Sequence, residues 1–338
     1  MRLRTKFTER VGIDLPIIQG GMQHVGFAEM ASAVSNAGGL GVLTGLTQPT
    51  PEALRGEIRR CRTMTNKPFG VNLTILPMLI PADYDAYMNV ICEEKVAVIE
   101  ISGGSPRKYM KQLREAGIVV IHKSATVKHA LKAERDGVDF IEIAGFESGI
   151  AGRSSEDDVG TWVLLAKALE KVKTPIIVSG ASGTGRQLAA ALTMGAQGIT
   201  MGTRFLATQE CPIHDDVKLH LAKPEVDEMS TTLVLRTFNN ATRVSKNRVA
   251  RDILATEAAM VKEGNGPDFS RVANLAKGEN TRLMFQQNGG WDDAMWSCGQ
   301  SVGLIEGKIP TCKELLDEIA NQAEERLRAS ANVLSAKL

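Results

Sequence analysis

At 338 residues, 43% hydrophobic and 23% charged, the chain is long enough for one large barrel with an insertion or for two ordinary domains. Its formal net charge of +1 excludes the basic surplus of a general nucleic-acid binder. No apolar run approaches the ~20 residues of a membrane-spanning helix, and the opening MRLRTKFTERVG lacks the apolar core of a signal peptide.

Short apolar strands alternate with helical segments from the start. Residues 16–19 form the first predicted strand, followed by GGMQHVG and a helix over 27–37 that Gly38 and Gly39 end. The second strand is 40–43. A helix over 47–65 has proline at its entry, where a missing N–H costs nothing. Strands are then predicted at 69–74, 97–101, 118–122 and 139–143, with helices at 84–93, 106–116 and 126–136 between them. A long loop, GFESGIAGRSSEDD at 145–158, precedes a helix over 159–172.

The stretch PIIVSGASGTGRQLAAALTMGAQGITMGTRF, 175–205, supplies strands seven (175–178) and eight (199–201) around a helix over 186–194. Each strand ends in a glycine-bearing turn at a helix start, where free backbone N–H groups can hold an anion. Two such turns in succession match the phosphate grip after strands seven and eight of a (β/α)₈ barrel. Near-continuous apolar strands imply a parallel sheet buried on both faces. Eight units point to a closed TIM barrel, with a doubly wound open sheet as the alternative. A phosphate turn on the eighth strand suits the open sheet less well, because such sheets bind at a mid-sheet switch point.

After Phe205 the rhythm breaks, and 211–278 shows helical stretches such as 247–262 without strand–helix alternation. The expected organisation is a barrel over 1–210, a helical insertion over 211–280 at the barrel's mouth, and a return to the barrel over 281–338. That return ends in an amphipathic helix with Leu315, Leu316, Ile319 and Ala320 on one side.

Barrel enzymes react at the C-terminal ends of their strands. The candidates there are Gly20 to His24, Asn72, Thr74, His122, Lys123, residues 144–152, Ser179 to Ala181 and Gly202 to Arg204. The set is poor in carboxylates, so paired acid/base hydrolysis and a divalent metal are not expected. It holds no GxSxG and no HExxH. Amide, hydroxyl, lysine and backbone N–H around a phosphate grip suit a phosphorylated cofactor whose own ring does the chemistry. The five cysteines are scattered and form no CxxC pair, so a reducing cytoplasm is expected. Cys298 has no histidine partner in the sequence pattern, and Trp162, Trp291 and Trp296 read as packing residues.

PIIQGGMQ, GGLGVLTGLTQPTPE, KPFGVNLT, VIHK, KAERDGVDFIEI, GFESG, SGASGTGR and MGTRFLATQECPIH together resemble the nitronate monooxygenase family. This family, formerly the 2-nitropropane dioxygenases, consists of FMN-dependent barrels and includes NADH:quinone reductases and FMN-dependent enoyl reductases. The resemblance spans nearly the whole chain and is strongest to the quinone-reductase branch. It implies FMN contacts at Gly21, Met22, Gln23, Asn72, Thr74, Ala144 and Gly149, with Lys123 at the N1–C2 edge of the ring. It implies phosphate contacts at Ser179, Gly180, Ala181, Gly202 and Thr203. The implied activity is NAD(P)H-dependent reduction of a quinone or enoyl acceptor, with nitronate oxidation by O₂ or a non-catalytic flavin-binding barrel as alternatives. A small-molecule substrate, NADH or NADPH as reductant and a homodimer are expected, with no nucleic acid or membrane partner.

One departure stands out. The family carries a histidine in the loop after strand six, in a pattern like GFE-x-x-GH, and GFESGIAGRSSEDD has none. Ala144 stands where the nearest branch has an acidic residue. His24, just past the first strand, is the candidate substitute. The apolar loop LPMLIPADY, 76–84, is expected to cover a nicotinamide or a flat acceptor.

Overall fold

The computed structural model describes residues 3–75, 82–150, 154, 158–180, 182–305, 307–331 and 333. Eight parallel strands run in the ring order β1, β8, β7, β6, β5, β4, β3, β2. They are β1 (Ile17–Gln19), β2 (Gly41–Thr44), β3 (Phe69–Ile75), β4 (Val98–Gly103), β5 (Val119–Ser124), β6 (Phe140–Ala144), β7 (Ile176–Ser179) and β8 (Ile199–Met201). The ring closes between β1 and β2. Ile18 and Leu40 form a parallel bridge, and the fully buried Gln19 reaches across to accept from Val42 N–H at 3.0 Å. The fold is therefore the TIM barrel rather than the open sheet.

Each strand falls within a residue or two of its expected place, mostly displaced toward its C-terminal end. At β1 and β7 the reason is proline: Pro16 and Pro175 lack the N–H that a ladder position needs. At β5 the displacement matters chemically, because Lys123 lies inside the strand, paired in register with Glu142 of β6 and Ser102 of β4.

The barrel's helices are α2 (Ala28–Asn36), α3 (Pro51–Met64), α4 (Tyr84–Glu93), α5 (Met110–Glu115), α6 (Val127–Asp136), α7 (Thr161–Lys171) and α8 (Gly185–Met194). Their ends carry local signals. Thr50 caps α3 by accepting from Ala53 N–H with Pro51 in the first turn, Thr126 caps α6, and Gly137 and Gly195 end α6 and α8 in the left-handed region. A helix that the strand–helix rhythm did not predict, α1 (Lys6–Val11), precedes β1. Its Phe7 is fully buried and meets Phe140 edge-on, with ring centroids 5.2 Å apart. Phe7 and Val11 join Ile18, Val42, Val98, Val119, Ile121, Phe140 and Ile177 in one apolar cluster. Those strand residues share one parity along their strands, so they are the inward-facing positions, and α1 plugs the bottom of the barrel.

Beyond β8 the chain forms α9 (Thr203–Leu206), α10 (Asp215–Leu221), a hairpin of β9 (Thr231–Val234) and β10 (Thr242–Ser245), α11 (Arg248–Glu263), α12 (Gly278–Leu283) and α13 (Cys312–Ala331). The inserted segment is thus not purely helical. Its antiparallel hairpin escaped notice because TTLV and TRVS are only four residues each and are joined by no glycine turn. Cys211, Ile213, Val217 and Leu221 pack into the barrel's own core, whereas Val234, Val244, Ile253, Met260 and Val272 form a separate cluster. Ser297 bridges back to Val244 of β10, so the returning chain extends the hairpin. α13 packs on α8 and α2, burying Leu315, Leu316, Ile319 and Ala320 as their spacing predicts. No helix among the described residues is long and apolar enough to cross a membrane.

Phe7→Ala opens the floor of the barrel. The expected loss is about 3–5 kcal/mol, the usual cost of truncating a buried phenylalanine. Urea denaturation of the variant beside the parent measures it, and a loss below about 1 kcal/mol would show that α1 is not a structural plug.

Candidate active site

The parity that lines the floor with apolar side chains continues upward. Above Val98 comes Glu100, above Ile121 comes Lys123, above Phe140 come Glu142 and Ala144, and above Ile177 comes Ser179. On β3 the same parity gives Asn72 and Thr74. Asn72, Thr74, Lys123, Ala144 and Ser179 therefore face one volume at the C-terminal end of the barrel.

At the centre of this layer lies a charge cluster. Lys123 Nζ contacts Glu100 Oε1 and lies 3.1 Å from Glu142 Oε1, with Glu100 only 1% exposed and Glu142 fully buried. Burial disfavours the Lys123 charge, but Glu100 and Glu142 outweigh it and raise the lysine's pKa, so the ammonium is retained. Burial raises the Glu142 pKa, and the Glu100 charge adds to the rise against the pull of Lys123. The expectation of a carboxylate-poor site is thus corrected. Both glutamates sit mid-strand, below the strand-end positions. Their signal was present, since VIEIS and FIEIA each set one glutamate inside an otherwise apolar parallel strand.

Asn72 is 4% exposed, and its amide donates to Glu100 O at 3.3 Å and to Ser102 Oγ at 3.4 Å, while Thr74 Oγ1 donates to Asn72 Oδ1 at 3.2 Å. The first loop packs directly on it. A Cβ on Gly21 would lie 2.4 Å from Asn72 Cβ, so only glycine fits. Gly21 N–H donates to Glu100 Oε2 at 3.1 Å, and Met22 exchanges two 2.9 Å hydrogen bonds with the Thr44 hydroxyl. Loop, Asn72 and charge cluster form one hydrogen-bonded unit.

The two glycine turns divide the anion-holding task differently from expectation. The N–H groups of Gly183 and Thr184 donate to Gln187 Oε1 at 2.8 and 3.2 Å, and Gly185 N–H donates to Gln322 Oε1 of α13 at 3.2 Å. The start of α8 is thereby capped from within the protein. What remains for an anion is the tip of the turn at Gly180, left-handed with φ +81°, and the Gly202–Thr203 turn. A Cβ on Gly202 would meet nothing nearer than Met22 Sδ at 3.6 Å. Ser148 Oγ, packed beside Gly180, and Thr200 Oγ1, beside Gly20, are buried hydroxyls without a hydrogen-bond partner. Spare donors, an ammonium and glycine-lined turns in one volume suit a phosphorylated, electron-rich ring. Ala181 lies outside the described residues, as do positions 76–81 of the apolar loop and much of 151–157.

His24 sits at the mouth in the left-handed region, φ 62°, with its N–H donating to Thr47 Oγ1 at 3.0 Å. Its ring lies under α12, where a Cβ on Gly278 would stand 3.9 Å from Nε2 and 3.7 Å from Gln23 Nε2. Burial and the nearby Arg282 lower its pKa against the opposing effect of Glu279, so the imidazole is neutral at pH 7. His122 points the other way, out of the barrel. Its ring nitrogens lie 3.0 Å from Ser124 Oγ and 3.2 Å from Gly104 O, a structural role.

The loop after β6 is held from three sides. Glu147 accepts from Thr161 N–H at 3.0 Å and so caps α7, and its carbonyl accepts from Gln300 N–H at 2.9 Å. Gly149 lies against the backbone at Cys298 and Gly299, and Gly299 N–H donates to Thr203 Oγ1 at 2.9 Å. Arg243 of β10, 5% exposed, donates to Phe146 O at 2.9 Å and lies over the Phe146 ring. Arg243 had no signal in the sequence, because the hairpin carrying it was not predicted. The Cys298 thiol is pushed up to about 12 by burial and is no nucleophile. Trp296 is buried and Trp291 stacks on His220 at 3.5 Å, but Trp162 is 46% exposed and does not pack as expected.

The profile of the nitronate monooxygenase family matches residues 4–83 and 77–322. A (3aS,4S,5R,7aS)-5-hydroxy-7a-methyl-1-oxo-octahydro-1H-indene-4-carboxyl-CoA dehydrogenase from Rhodococcus jostii is 32% identical, over 97% of this chain and 98% of its own. Among solved structures, FabK from Thermotoga maritima superposes with a TM-score of 0.87 at 31% identity, covering 98% of this chain and all of its own. Nitroalkane oxidase from Streptomyces ansochromogenes does so at 0.81 and 27%, covering 96% of this chain and 99% of its own. With the family profile and whole-length relatives agreeing with the barrel, the chain belongs to the nitronate monooxygenase family of oxidoreductases.

Proposed function

We propose that this protein is an FMN-dependent oxidoreductase that takes reducing equivalents from NAD(P)H and delivers them to an enoyl-type or quinone acceptor. The observation that carries the reading is the inward-facing polar layer of Asn72, Thr74, Lys123 and Ser179 beneath two glycine turns. When bound, the flavin supplies the two-electron chemistry. Gly180, Gly202 and Thr203 would hold the phosphate, with Ser148 Oγ available to donate. Gly21 to Gln23 and Asn72 would fix the ring's position, and Lys123 would offer a positive charge to its electron-rich edge. Hydride transfer needs stacking and orientation more than a protein base, so a loop without histidine can accommodate it. The Rhodococcus relative, named a carboxyl-CoA dehydrogenase, favours the enoyl thioester over the quinone.

Nitronate oxidation by O₂ is the second reading, favoured by the family profile and the Streptomyces nitroalkane oxidase. A neutral nitroalkane would need a base to lose its proton. The loop after β6 offers no histidine, and the half-buried neutral His24 is the remaining candidate.

Purified protein is expected to be yellow and to hold one FMN per chain. Gly180→Ala puts a methyl group 2.8 Å from Ser148 Cβ at a positive φ and should weaken FMN binding by about tenfold or more. Flavin titration followed by fluorescence measures this, and unaltered affinity would remove Gly180 from the phosphate grip. Lys123→Met should lower the midpoint potential of bound flavin, because a carboxylate then faces the ring without its cation. An unchanged potential in a variant that still binds FMN would take Lys123 away from the ring.

Anaerobic mixing separates the reactions. NADH or NADPH should bleach the flavin within seconds and an enoyl-CoA should restore its colour, while propyl nitronate bleaches it slowly or not at all. Fast bleaching by the nitronate with inert nicotinamides would reverse the order. Bleaching by neither would point to a flavin-binding barrel without this chemistry.

A further inference from the structure

Lys123 has two carboxylate neighbours and one charge to share between them. Both glutamates are shielded from water, Glu100 at 1% exposure and Glu142 at zero. Their surroundings differ. Glu100 has the ammonium on one oxygen and Gly21 N–H at 3.1 Å on the other. Glu142 has the same ammonium at 3.1 Å and the Ser179 hydroxyl beside it, and no backbone N–H donates to either of its oxygens. The groups facing Glu142 are therefore Lys123 from β5, Glu100 from β4 and Ser179 from β7. With both glutamates ionised, a net negative charge would be sealed inside the barrel beneath an electron-rich ring, an arrangement that burial strongly disfavours.

We propose that Glu142 is a positioning residue that carries one exchangeable proton, so that Glu100, Lys123 and Glu142 together are neutral and the Lys123 charge is not cancelled twice. Glu142 acts through Lys123 rather than on substrate. That it bears on the flavin rests on the function proposed above; that it holds a proton does not.

Linkage gives the sign. A carboxyl whose pKa is higher folded than unfolded stabilises the fold below the unfolded value, about 4.3 for glutamate, and this stability is lost as pH rises through the folded value. Denaturant unfolding of wild type and E142Q across that window isolates the effect, since the other titrating groups are common to both proteins. E142Q should gain on wild type as pH rises, by on the order of tenfold in the folding equilibrium constant. E100Q leaves one carboxylate for one ammonium, so Glu142 becomes ionised and the pH-dependent difference disappears. Infrared spectra of wild type and E100Q at about pH 5, between the unfolded and the raised folded value, keep the test open if E142Q does not fold, because the carbonyl stretch of a buried protonated acid should be present in the first and absent in the second. An E142Q offset that is the same at every pH, an E100Q protein with the full wild-type pH dependence, or no acid band in wild type overturns the proposal.

On the flavin-loaded protein the same group has a second readout. Two-electron reduction, with dithionite as the electron source, should draw one further proton from solvent onto Glu142 where it is otherwise partly ionised. The wild-type midpoint potential then falls more steeply with pH than that of E142Q, and equal slopes would disconnect Glu142 from the ring. If the protein binds no FMN, the function proposed above fails while the unfolding series still decides the protonation of Glu142.

Discussion

A closed parallel barrel imposes alternation: each strand sends every second side chain into a single interior that has no other exit. The rest of this molecule follows from that constraint. Phe7 of α1 fills the bottom, an apolar layer from Val98, Val119 and Phe140 sits above it, and polar groups gather where the interior opens. A one-residue shift of any strand would exchange a site residue for a residue packed against the helices. His122 and Lys123, adjacent in sequence, illustrate it, one pinned outside the ring and the other ion-paired inside.

The cost of this arrangement is concentrated in three residues. Glu100, Lys123 and Glu142 would fold more comfortably as a packed apolar layer, since replacing buried ion clusters with hydrophobes is often neutral or stabilising. Breaking the cluster is another matter, at about 3–5 kcal/mol for removing one partner of a buried pair. Such a layer persists through its use rather than through its contribution to stability. The cluster is tied to the first loop and to β3: Gly21 N–H donates to the carboxylate that holds the lysine, and the Asn72 amide donates to the Glu100 carbonyl.

Much of the fold was legible because the βα unit repeats with strong punctuation. Gly137 and Gly195 end helices in the left-handed region, threonines cap α3 and α6, and β-branched runs mark the strands. The positions at the top of the barrel were legible for the same reason, since they follow from where the strands end. What escaped was set by tertiary contact. At the start of α8 Gln187 closes a local capping box with Thr184, but the Gly185 N–H is taken by Gln322, 137 residues distant, which no local pattern announces. Glu100 and Glu142 lie inside strands whose apolar character made them look like floor rather than site. The hairpin β9–β10 is short, and it is completed by Ser297 from a different part of the chain.

Arg243 ties that hairpin to the loop after β6, through the Phe146 carbonyl and ring, at 5% exposure. The inserted segment and the loop are therefore physically coupled although about a hundred residues separate them. A chimera that took residues 231–245 from a relative but kept this chain's Phe146 would have to preserve an arginine at this place or strand a carbonyl and remove one of the loop's three holds. Exchanging either segment alone would break this contact, whereas moving residues 231–245 together with the loop after β6 would preserve it.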